Sequence, residues 1–226
     1  MQLRIGSIAR LTAAISAYEL VDPVGSELPV FSAGAHVGVR LGNADPRDYS
    51  LWNDPAERRR YCIAVLREKE GQLSRRLHDL VKVGDLVDVS EPRNHFPLAE
   101  DAAHHLLIAG GIGITPIMAM IAELGRRCAE FRVHYCTRSL EETAFSDVLS
   151  PLAAQGRLSF HHDGGDPSRG LDLVNLLRER APGTHLYYCG PAGLMAAAAS
   201  AAAHWPAGTV HCEHFKGPNA VPAAIP

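Results

Sequence analysis

The chain has 226 residues, a net charge of −3, and 46% hydrophobic and 21% charged residues, which is typical of a globular protein with one large or two small domains. Its small negative charge argues against a nucleic-acid or anionic-lipid surface. No apolar run approaches the ~18 residues of a membrane span, and the N-terminal MQLRIGSIARL lacks a signal-peptide core. We therefore expect a cytoplasmic protein that binds neither nucleic acid nor membrane.

The five cysteines form no C-x-x-C pair and no close cluster; they are Cys62, Cys128, Cys136, Cys189 and Cys212. Such spacing is typical of reduced thiols. It excludes a plant-type iron–sulfur site within the chain, because that site needs three closely spaced thiolates and a fourth. The twelve histidines show no zinc-like spacing, so we predict no metal site.

The first part of the chain alternates short β-forming segments with glycine and proline breaks. The pattern predicts strands over residues 3–11, 17–21, 29–41, 59–67 and 86–89, and one helix over 72–80. Short strands with this punctuation and few helices are typical of a small antiparallel barrel. We expect a six-stranded antiparallel barrel within residues 1–100.

The second part, residues 101–215, alternates strands with helices. Strands are predicted over 104–109, 131–137, 158–162, 185–189 and 209–215, and helices over 116–127, 171–180 and 192–203. This alternation predicts a five-stranded parallel, Rossmann-like sheet with helices on both faces. The remaining residues, 216–226, contain three prolines and no periodicity, as is typical of a linker.

A glycine-rich turn, GGIGITP at residues 110–116, joins the first strand and helix of the second part. Thr115 is predicted to cap the helix and Pro116 to take its first position. The free N–H groups of such a helix would suit a pyrophosphate at the carboxyl edge of the sheet. An ordinary strand-to-helix turn explains the same residues, because the spacing departs from G-x-G-x-x-G.

Four motifs occur in order along the chain: RDYS at 47–50, GQLS at 71–74, GGIGITP at 110–116 and CGP at 189–191. Together they resemble the ferredoxin–NAD(P)H reductase superfamily, whose R-x-Y-S and G-x-x-S motifs bind a flavin. The resemblance implies a flavin-binding β-barrel followed by a nucleotide-binding α/β domain.

Three further segments narrow the resemblance to the phthalate dioxygenase reductase subfamily: PRNHFPL at 92–98, HHDGGD at 161–166 and HWPAGTVH at 204–211. This subfamily implies FMN and NADH as cofactors, and a C-terminal plant-type [2Fe-2S] domain that serves a Rieske-type oxygenase. The cysteines provide no such domain here, and residues 216–226 lie where it would begin. We expect either a truncated chain or a reductase that uses a separate ferredoxin.

The resemblance also implies which residues contact the flavin. They are Arg47, Asp48, Tyr49, Ser50, Ala64, Val65, Leu66, Gly71, Gln72, Leu73, Ser74 and Phe215. A guanidinium at Arg47 suits the flavin phosphate, and the Tyr49 ring suits a flat conjugated system. In the family, the serine at Ser50 bonds near the reactive flavin nitrogen. Phe215 matches a terminal aromatic that covers the flavin, although a core phenylalanine explains it nearly as well.

The nicotinamide nucleotide is expected at a second set of residues: Gly110, Gly111, Gly113, Thr115, Thr137, Arg138, Asp163, Cys189, Gly190 and Pro191. Of the whole site, Ser50, Thr115 and Cys189 are the expected catalytic residues. A buried strand cysteine is the alternative for Cys189, and a turn cap is the alternative for Asp163. Arg138 would suit a 2′-phosphate, whereas Glu141 and Glu142 would oppose it, and the subfamily favours NADH.

These expectations together describe an oxidoreductase that takes a hydride from NADH onto FMN and passes single electrons to an iron–sulfur acceptor. It would serve as the reductase component of a Rieske-type aromatic-ring oxygenase or demethylase. Two alternatives stay open at this point: an FAD-dependent reductase with another acceptor, and a flavin-free docking module.

Overall fold

The computed structural model describes residues 1–215 and begins with an antiparallel sheet. Its strands are β1 (Gln2–Arg10), β2 (Ile15–Val21), β3 (Ala35–Arg40), β4 (Arg47–Ser50), β5 (Arg60–Leu66), β6 (Leu86–Val89) and the two-residue β7 (Arg93–Asn94). The order is β4-β3-β6-β1-β2-β5, with β7 beside β3. The predicted six-stranded antiparallel domain is confirmed, with β7 as an addition.

The two end strands of this sheet approach each other and give it a barrel shape. Just after β4, the Trp52 amide donates to the Cys62 carbonyl at 2.9 Å, and the Asn53 side chain accepts from the Cys62 amide. Hydrophobic side chains alternate along the strands, so one face of each strand fills the barrel. Helix α1 (Gln72–Asp79) adds Leu73 and Leu77, one turn apart, to this core.

The second sheet is parallel, in the order β10-β9-β8-β11-β12. Its strands are β8 (His104–Gly110), β9 (Glu130–Thr137), β10 (Leu158–His162), β11 (Thr184–Cys189) and β12 (Val210–Glu213), and its helices are α2 (Ile114–Arg126), α3 (Ser146–Ala154), α4 (Leu173–Leu177) and α5 (Ala192–Ala201). The predicted five-stranded parallel sheet is confirmed.

Both faces of the parallel sheet are covered. Leu107 and Ala109 of β8 pack in the cluster that includes α2 and α3, whereas Ile108 packs in the cluster with α4 and α5. Alternate residues of one strand therefore enter two different cores, as expected for a sheet between helical layers. No helix in residues 1–215 combines the length and apolar composition that a membrane crossing requires.

Several predicted boundaries were wrong. Helix α3 was not predicted, and its interior Pro151 weakens a sequence pattern that would indicate a helix. The predicted strand over 29–41 is shorter, Ala35–Arg40. It is preceded by Gly34, whose φ of +89° and close approach to the Phe96 carbonyl leave no room for a side chain.

The prediction that Thr115 caps α2 was also wrong. A 3-10 turn over Gly111–Gly113 runs directly into α2, so the helix begins at Ile114 and its cap position falls on Gly113. The Thr115 hydroxyl instead donates to the Ile112 carbonyl at 3.0 Å. The boundary between residues 100 and 101 stays a prediction, and the predicted linker 216–226 lies outside the described residues.

The position of α1 yields a stability prediction. Leu77 is 1% exposed and Leu80, just after the helix, is 62% exposed. We expect Leu77→Ala to lower the free energy of unfolding by about 2–5 kcal/mol, because it leaves a cavity in the barrel core, and Leu80→Ala to change it by only about 0.5 kcal/mol. Urea denaturation of both variants measures the difference. Equal effects would contradict the placement of α1 against the barrel.

Candidate functional site

An open cleft of about 320 Å³ lies where the barrel meets the parallel sheet. Strands β4 and β5 and the start of α1 form its barrel side, and Ile112, Thr115 and Phe215 come from the second domain. Of the residues predicted to contact a flavin, the structure brings together Arg47, Asp48, Tyr49, Ser50, Ala64, Leu66, Gly71, Gln72, Leu73, Ser74 and Phe215. The geometry therefore gathers one predicted set almost completely.

Val65 is the exception within that set. Its side chain is fully buried in the barrel core, because successive residues of a strand point to opposite faces. Its carbonyl accepts a hydrogen bond from His78 Nε2 at 2.9 Å. Ala64 and Leu66, its neighbours, line the cleft instead.

The anion-binding features of the cleft are Arg47 and the N-terminus of α1. Arg47 is exposed, bonds to the Pro46 carbonyl and makes no ion pair within residues 1–215. No described side chain caps α1, so its first N–H groups stay available to an anion. The donor set is therefore suited to one phosphate group.

Ser74, whose predicted flavin contact stays a prediction, also makes hydrogen bonds within its own loop. Its hydroxyl donates to the Gly71 carbonyl at 3.2 Å and accepts from the Glu68 amide, so it closes the loop before α1. A Cβ at Gly71 would lie 2.4 Å from the Ser74 oxygen, which explains the glycine. The carboxylates of Asp45, Glu68 and Glu70 also line the cleft and were not predicted.

Glu213, at the end of β12, is a further residue of the site that no sequence pattern indicated. Its Oε2 accepts a hydrogen bond from the Ser50 hydroxyl at 3.2 Å, and its Oε1 lies 3.7 Å from His36 Nδ1. Burial, together with the charge of Asp48, raises the pKa of Glu213 to about 7 against the lowering effect of Ser50. Burial also lowers the pKa of His36. The pair is therefore shifted toward its neutral forms, and is a weak ion pair at most.

The glycines of the 110–116 turn have two different functions. A Cβ at Gly113 would lie 2.3 Å from the Cys189 carbonyl, and one at Gly110 would lie 2.7 Å from Pro191. These glycines let β8 and the end of β11 approach closely. Gly111, by contrast, has a φ of +52° and no described atom within 4 Å of its Cβ position. Of the three glycines, Gly111 is thus the one with free space that a ligand could occupy.

The other predicted nucleotide residues lie at the carboxyl ends of β9, β10 and β11, along one edge of the sheet. The Thr137 hydroxyl is engaged with Thr143 at 2.7 Å and His162 at 2.9 Å. Asp163 accepts from the Gly165 amide and closes a turn. Arg138 is exposed.

Cys189 is fully buried, and burial raises the pKa of its thiol well above the ordinary value. It packs within the hydrophobic cluster shared by the two domains. In this structure Cys189 is thus a buried strand cysteine with a protonated thiol, at the carboxyl edge of the parallel sheet. The nucleotide contacts of the whole second set, from Gly110 to Pro191, stay a prediction.

Comparisons with known proteins match this architecture. A family model described as dimethylamine monooxygenase subunit DmmA-like, N-terminal domain, matches residues 90–209. The reductase subunit of tert-butanol monooxygenase / tert-amyl alcohol desaturase from Aquincola tertiaricarbonis is 49% identical over 98% of this chain and 66% of that protein. Phthalate dioxygenase reductase from Burkholderia cepacia is 42% identical over 97% of this chain and 69% of that protein.

A solved structure of phthalate dioxygenase reductase superposes with a TM-score of 0.92 and 42% identity, covering 97% of this chain and 69% of that one. It is described as modular, for electron transfer from pyridine nucleotides to [2Fe-2S]. The chain thus spans about two thirds of the length of these relatives.

The Glu213 side chain is only 13% exposed, and we expect its carboxyl to make the stability of the fold depend on pH. Its pKa is raised from 4.5 to about 7 in the folded protein, so the protonated form stabilises the fold, and this contribution is lost as the pH rises through about 7. As the pH rises from about 5 to 8, wild type should lose this part of its free energy of unfolding and Glu213→Gln should not. The difference between the two free energies of unfolding should therefore grow by up to about 3 kcal/mol in favour of Glu213→Gln. Urea unfolding across this range, with the exposed Glu100→Gln as control, measures it. Parallel curves for Glu213→Gln and wild type would refute the burial argument.

Proposed function

The chain belongs to the phthalate dioxygenase reductase family, and on that premise we propose that it takes a hydride from NADH onto FMN and passes electrons singly to an iron–sulfur acceptor. The observation that supports this most is the cleft itself. It joins the barrel's Tyr49 and Ser50 to the carboxyl edge of a parallel sheet, where such sheets bind nucleotides.

The residues of the cleft fit a flavin mononucleotide. Arg47 and the uncapped N-terminus of α1 would hold the phosphate. Tyr49, Ala64 and Leu66 would form the wall against the ring. A bound flavin supplies the conversion of one hydride into two single-electron transfers. The chain's own residues bind and orient it.

The charge of the cleft favours a single phosphate. Four carboxylates, from Asp45, Asp48, Glu68 and Glu70, line it with one guanidinium, from Arg47. A diphosphate brings more negative charge into this acidic rim than the single arginine can offset. This electrostatic argument supports FMN over FAD.

The predicted ribose end favours NADH over NADPH. Glu141 and Glu142 are exposed beside Arg138. A hydrogen bond from Ser139 lowers the pKa of the Glu141 carboxyl, which keeps it ionised. A 2′-phosphate here would meet carboxylates as well as one arginine, whereas two ribose hydroxyl groups would find acceptors.

Ser50 and Cys189 have separate proposed tasks. Ser50 presents its hydroxyl at the cleft, where Glu213 fixes its orientation. Cys189, at the end of β11, would support the nicotinamide from the buried side, with Thr115 at the start of α2 facing the cleft. Phe215, 40% exposed at the rim, would cover the flavin ring until the nicotinamide displaces it.

The relatives are reductase components of oxygenase systems. We therefore propose that the electron acceptor is a [2Fe-2S] domain or a separate ferredoxin, and that the final acceptor is a Rieske-type oxygenase. A one-electron acceptor suits the chemistry that the cleft supports, since a flavin releases electrons singly.

The cofactor test is direct. Reconstituted protein should bind FMN more tightly than FAD, and the flavin released by acid should have the mass of FMN. NADH should bleach the bound flavin without oxygen, and faster than NADPH does. FAD as the bound flavin would support an FAD-dependent reductase, and a protein that binds no flavin would support a docking module.

Arg47→Ala tests the phosphate contact. Removing a charged hydrogen-bond donor costs about 1.5–3 kcal/mol, so the Kd for FMN should rise by about 10- to 100-fold, while riboflavin, which lacks the phosphate, should bind both proteins equally. The control is Arg40→Ala, which removes an exposed arginine of β3 that pairs with Asp88 of β6. Fluorescence titration measures both constants. An unchanged Kd for FMN would exclude Arg47 from the phosphate site.

A further inference from the structure

Tyr135 of β9 lies inside the parallel sheet and joins this strand to the glycine-rich turn after β8. Its ring is fully buried, and its hydroxyl donates to the Gly111 carbonyl at 3.1 Å. The same carbonyl accepts a hydrogen bond from the Ile114 amide at the start of α2. Both lone pairs of this oxygen are therefore in use, which fixes the peptide between Gly111 and Ile112 in one orientation.

The orientation of this peptide decides where its N–H points. In the trans peptide that joins Gly111 to Ile112, the N–H is directed opposite to the carbonyl. Because the carbonyl points at the buried Tyr135, the Ile112 N–H points away from that core. The Ile112 side chain lines the cleft, and Gly111 has free space at its Cβ position. The bond from Tyr135 therefore presents one N–H of the turn where a ligand could reach it.

The Tyr135 hydroxyl also faces the loop that follows β9. Burial raises the pKa of Tyr135, and the backbone amide of Ala144, which acts on the same oxygen, opposes this effect. The ends of the loop are tied together, since Thr137 and Thr143 share a hydrogen bond of 2.7 Å and Thr143 donates to the Ser139 carbonyl. Tyr135 is therefore held between the two loops that leave β8 and β9 at the carboxyl edge of the sheet.

The barrel in turn holds the loop after β9. Phe145, next to Ala144, has a φ of +60°, a backbone conformation that costs energy for a bulky residue. Its ring packs on Trp52, which follows β4, with the ring centres 4.8 Å apart. Trp52 Nε1 is buried and has no hydrogen-bond partner within residues 1–215. Backbone strain and an unsatisfied donor thus occur together at this contact, which is typical of a contact retained for function.

We propose that Tyr135 is a positioning residue for the nicotinamide nucleotide, and that it fixes the Gly111 turn in the orientation that binds the pyrophosphate. The inference rests on the proposed function, because the turn has this task only if a nucleotide binds there. Trp52 and Phe145 hold the loop that supports Tyr135, so the barrel sets the shape of the nucleotide site in the second domain. A turn that is ordered before binding lowers the entropy that binding costs.

This role separates nucleotide binding from hydride transfer. Tyr135 is fully buried and forms no part of the wall of the cleft, where Tyr49 and Ser50 lie. Loss of its hydroxyl should weaken NADH by the same amount before and during hydride transfer. Such a change raises the Kd for NADH and leaves the limiting rate of flavin reduction unchanged.

The first test uses flavin-free protein, so it does not depend on activity. Hydrogen–deuterium exchange with mass spectrometry measures the protection of residues 110–116. Tyr135→Phe keeps the ring and removes the hydroxyl, so exchange in this segment should become about tenfold faster. The matched control, Tyr61→Phe, removes another fully buried hydroxyl, bonded to the Pro29 carbonyl in the barrel, and should leave the segment unchanged. Equal exchange in wild type and Tyr135→Phe would overturn the positioning role.

The second test uses FMN-loaded protein. Stopped-flow absorbance without oxygen gives the Kd for NADH and the limiting rate of flavin reduction. Tyr135→Phe should raise the Kd about five- to tenfold, the equivalent of one lost hydrogen bond, and keep the limiting rate within about twofold of wild type. The phosphate-free donor N-benzyldihydronicotinamide should reduce both proteins at the same rate. Tyr61→Phe should match wild type in all three measurements.

Phe145→Leu tests the contact with the barrel. It keeps an apolar side chain but removes the ring that packs on Trp52, so the Kd for NADH should rise about two- to fivefold. Combined with Tyr135→Phe, it should add less than its separate effect, because both changes release the same turn. Fully additive effects, or an unchanged Kd in Phe145→Leu, would overturn the link to the barrel.

The outcomes distinguish the two proposals. Wild-type protein that NADH does not reduce overturns the proposed function and, with it, the role of Tyr135 in the reaction. Wild-type protein that is reduced normally, with an unchanged Kd in Tyr135→Phe, overturns the positioning role alone. Slower reduction of Tyr135→Phe by both donors assigns the hydroxyl to general packing and also overturns that role.

Discussion

The structure depends on the burial of one carboxyl group at the junction of two sheets. Glu213 ends the last described strand, yet its hydrogen-bond partner Ser50 belongs to the barrel. A buried carboxyl that lacks such partners costs several kcal/mol. The sheets must therefore meet in one relative position, and that position also sets the barrel wall of the cleft against the carboxyl edge of the parallel sheet.

Hydrophobic packing supports this position away from the carboxyl group. Ala64 and Phe96 from the barrel side belong to the same cluster as Leu107 and Ile114 of the second domain, and the Ala99 amide donates to the Tyr187 hydroxyl at 2.8 Å. A close-packed core of this kind resists sliding of its parts. The residues of the cleft are therefore held in place before any ligand binds, which lowers the entropy that binding costs.

The sequence predicted the features that local patterns encode. Alternating hydrophobic residues indicated both sheets, and the ordered RDYS and GQLS motifs indicated residues that do line one cleft. Glu213 was missed because its partner Ser50 lies 163 positions away, and no local pattern reports the contact between a parallel strand and a distant barrel. Thr115 was misjudged because the 3-10 turn before it moved the helix start. The sequence also could not separate the roles of Gly111 and Gly113, because Gly113 packs against Cys189, which is distant in sequence, whereas Gly111 has no described atom near it.

The polar junction is difficult to explain by stability alone. Well-packed apolar residues are often as stabilising as a buried ionisable pair, or more so, and this junction already has a large hydrophobic cluster beside it. Replacing Glu213 alone by an apolar residue would leave the buried Ser50 hydroxyl without its acceptor, at a cost of about 1–3 kcal/mol. Ser50, His36 and Glu213 thus depend on one another. Their side chains place exchangeable protons next to the cleft, at a junction where apolar side chains could have packed instead. Because such a cost is usually placed where chemistry occurs, the position of these three residues supports the proposal that the reactive end of the cleft lies at Ser50.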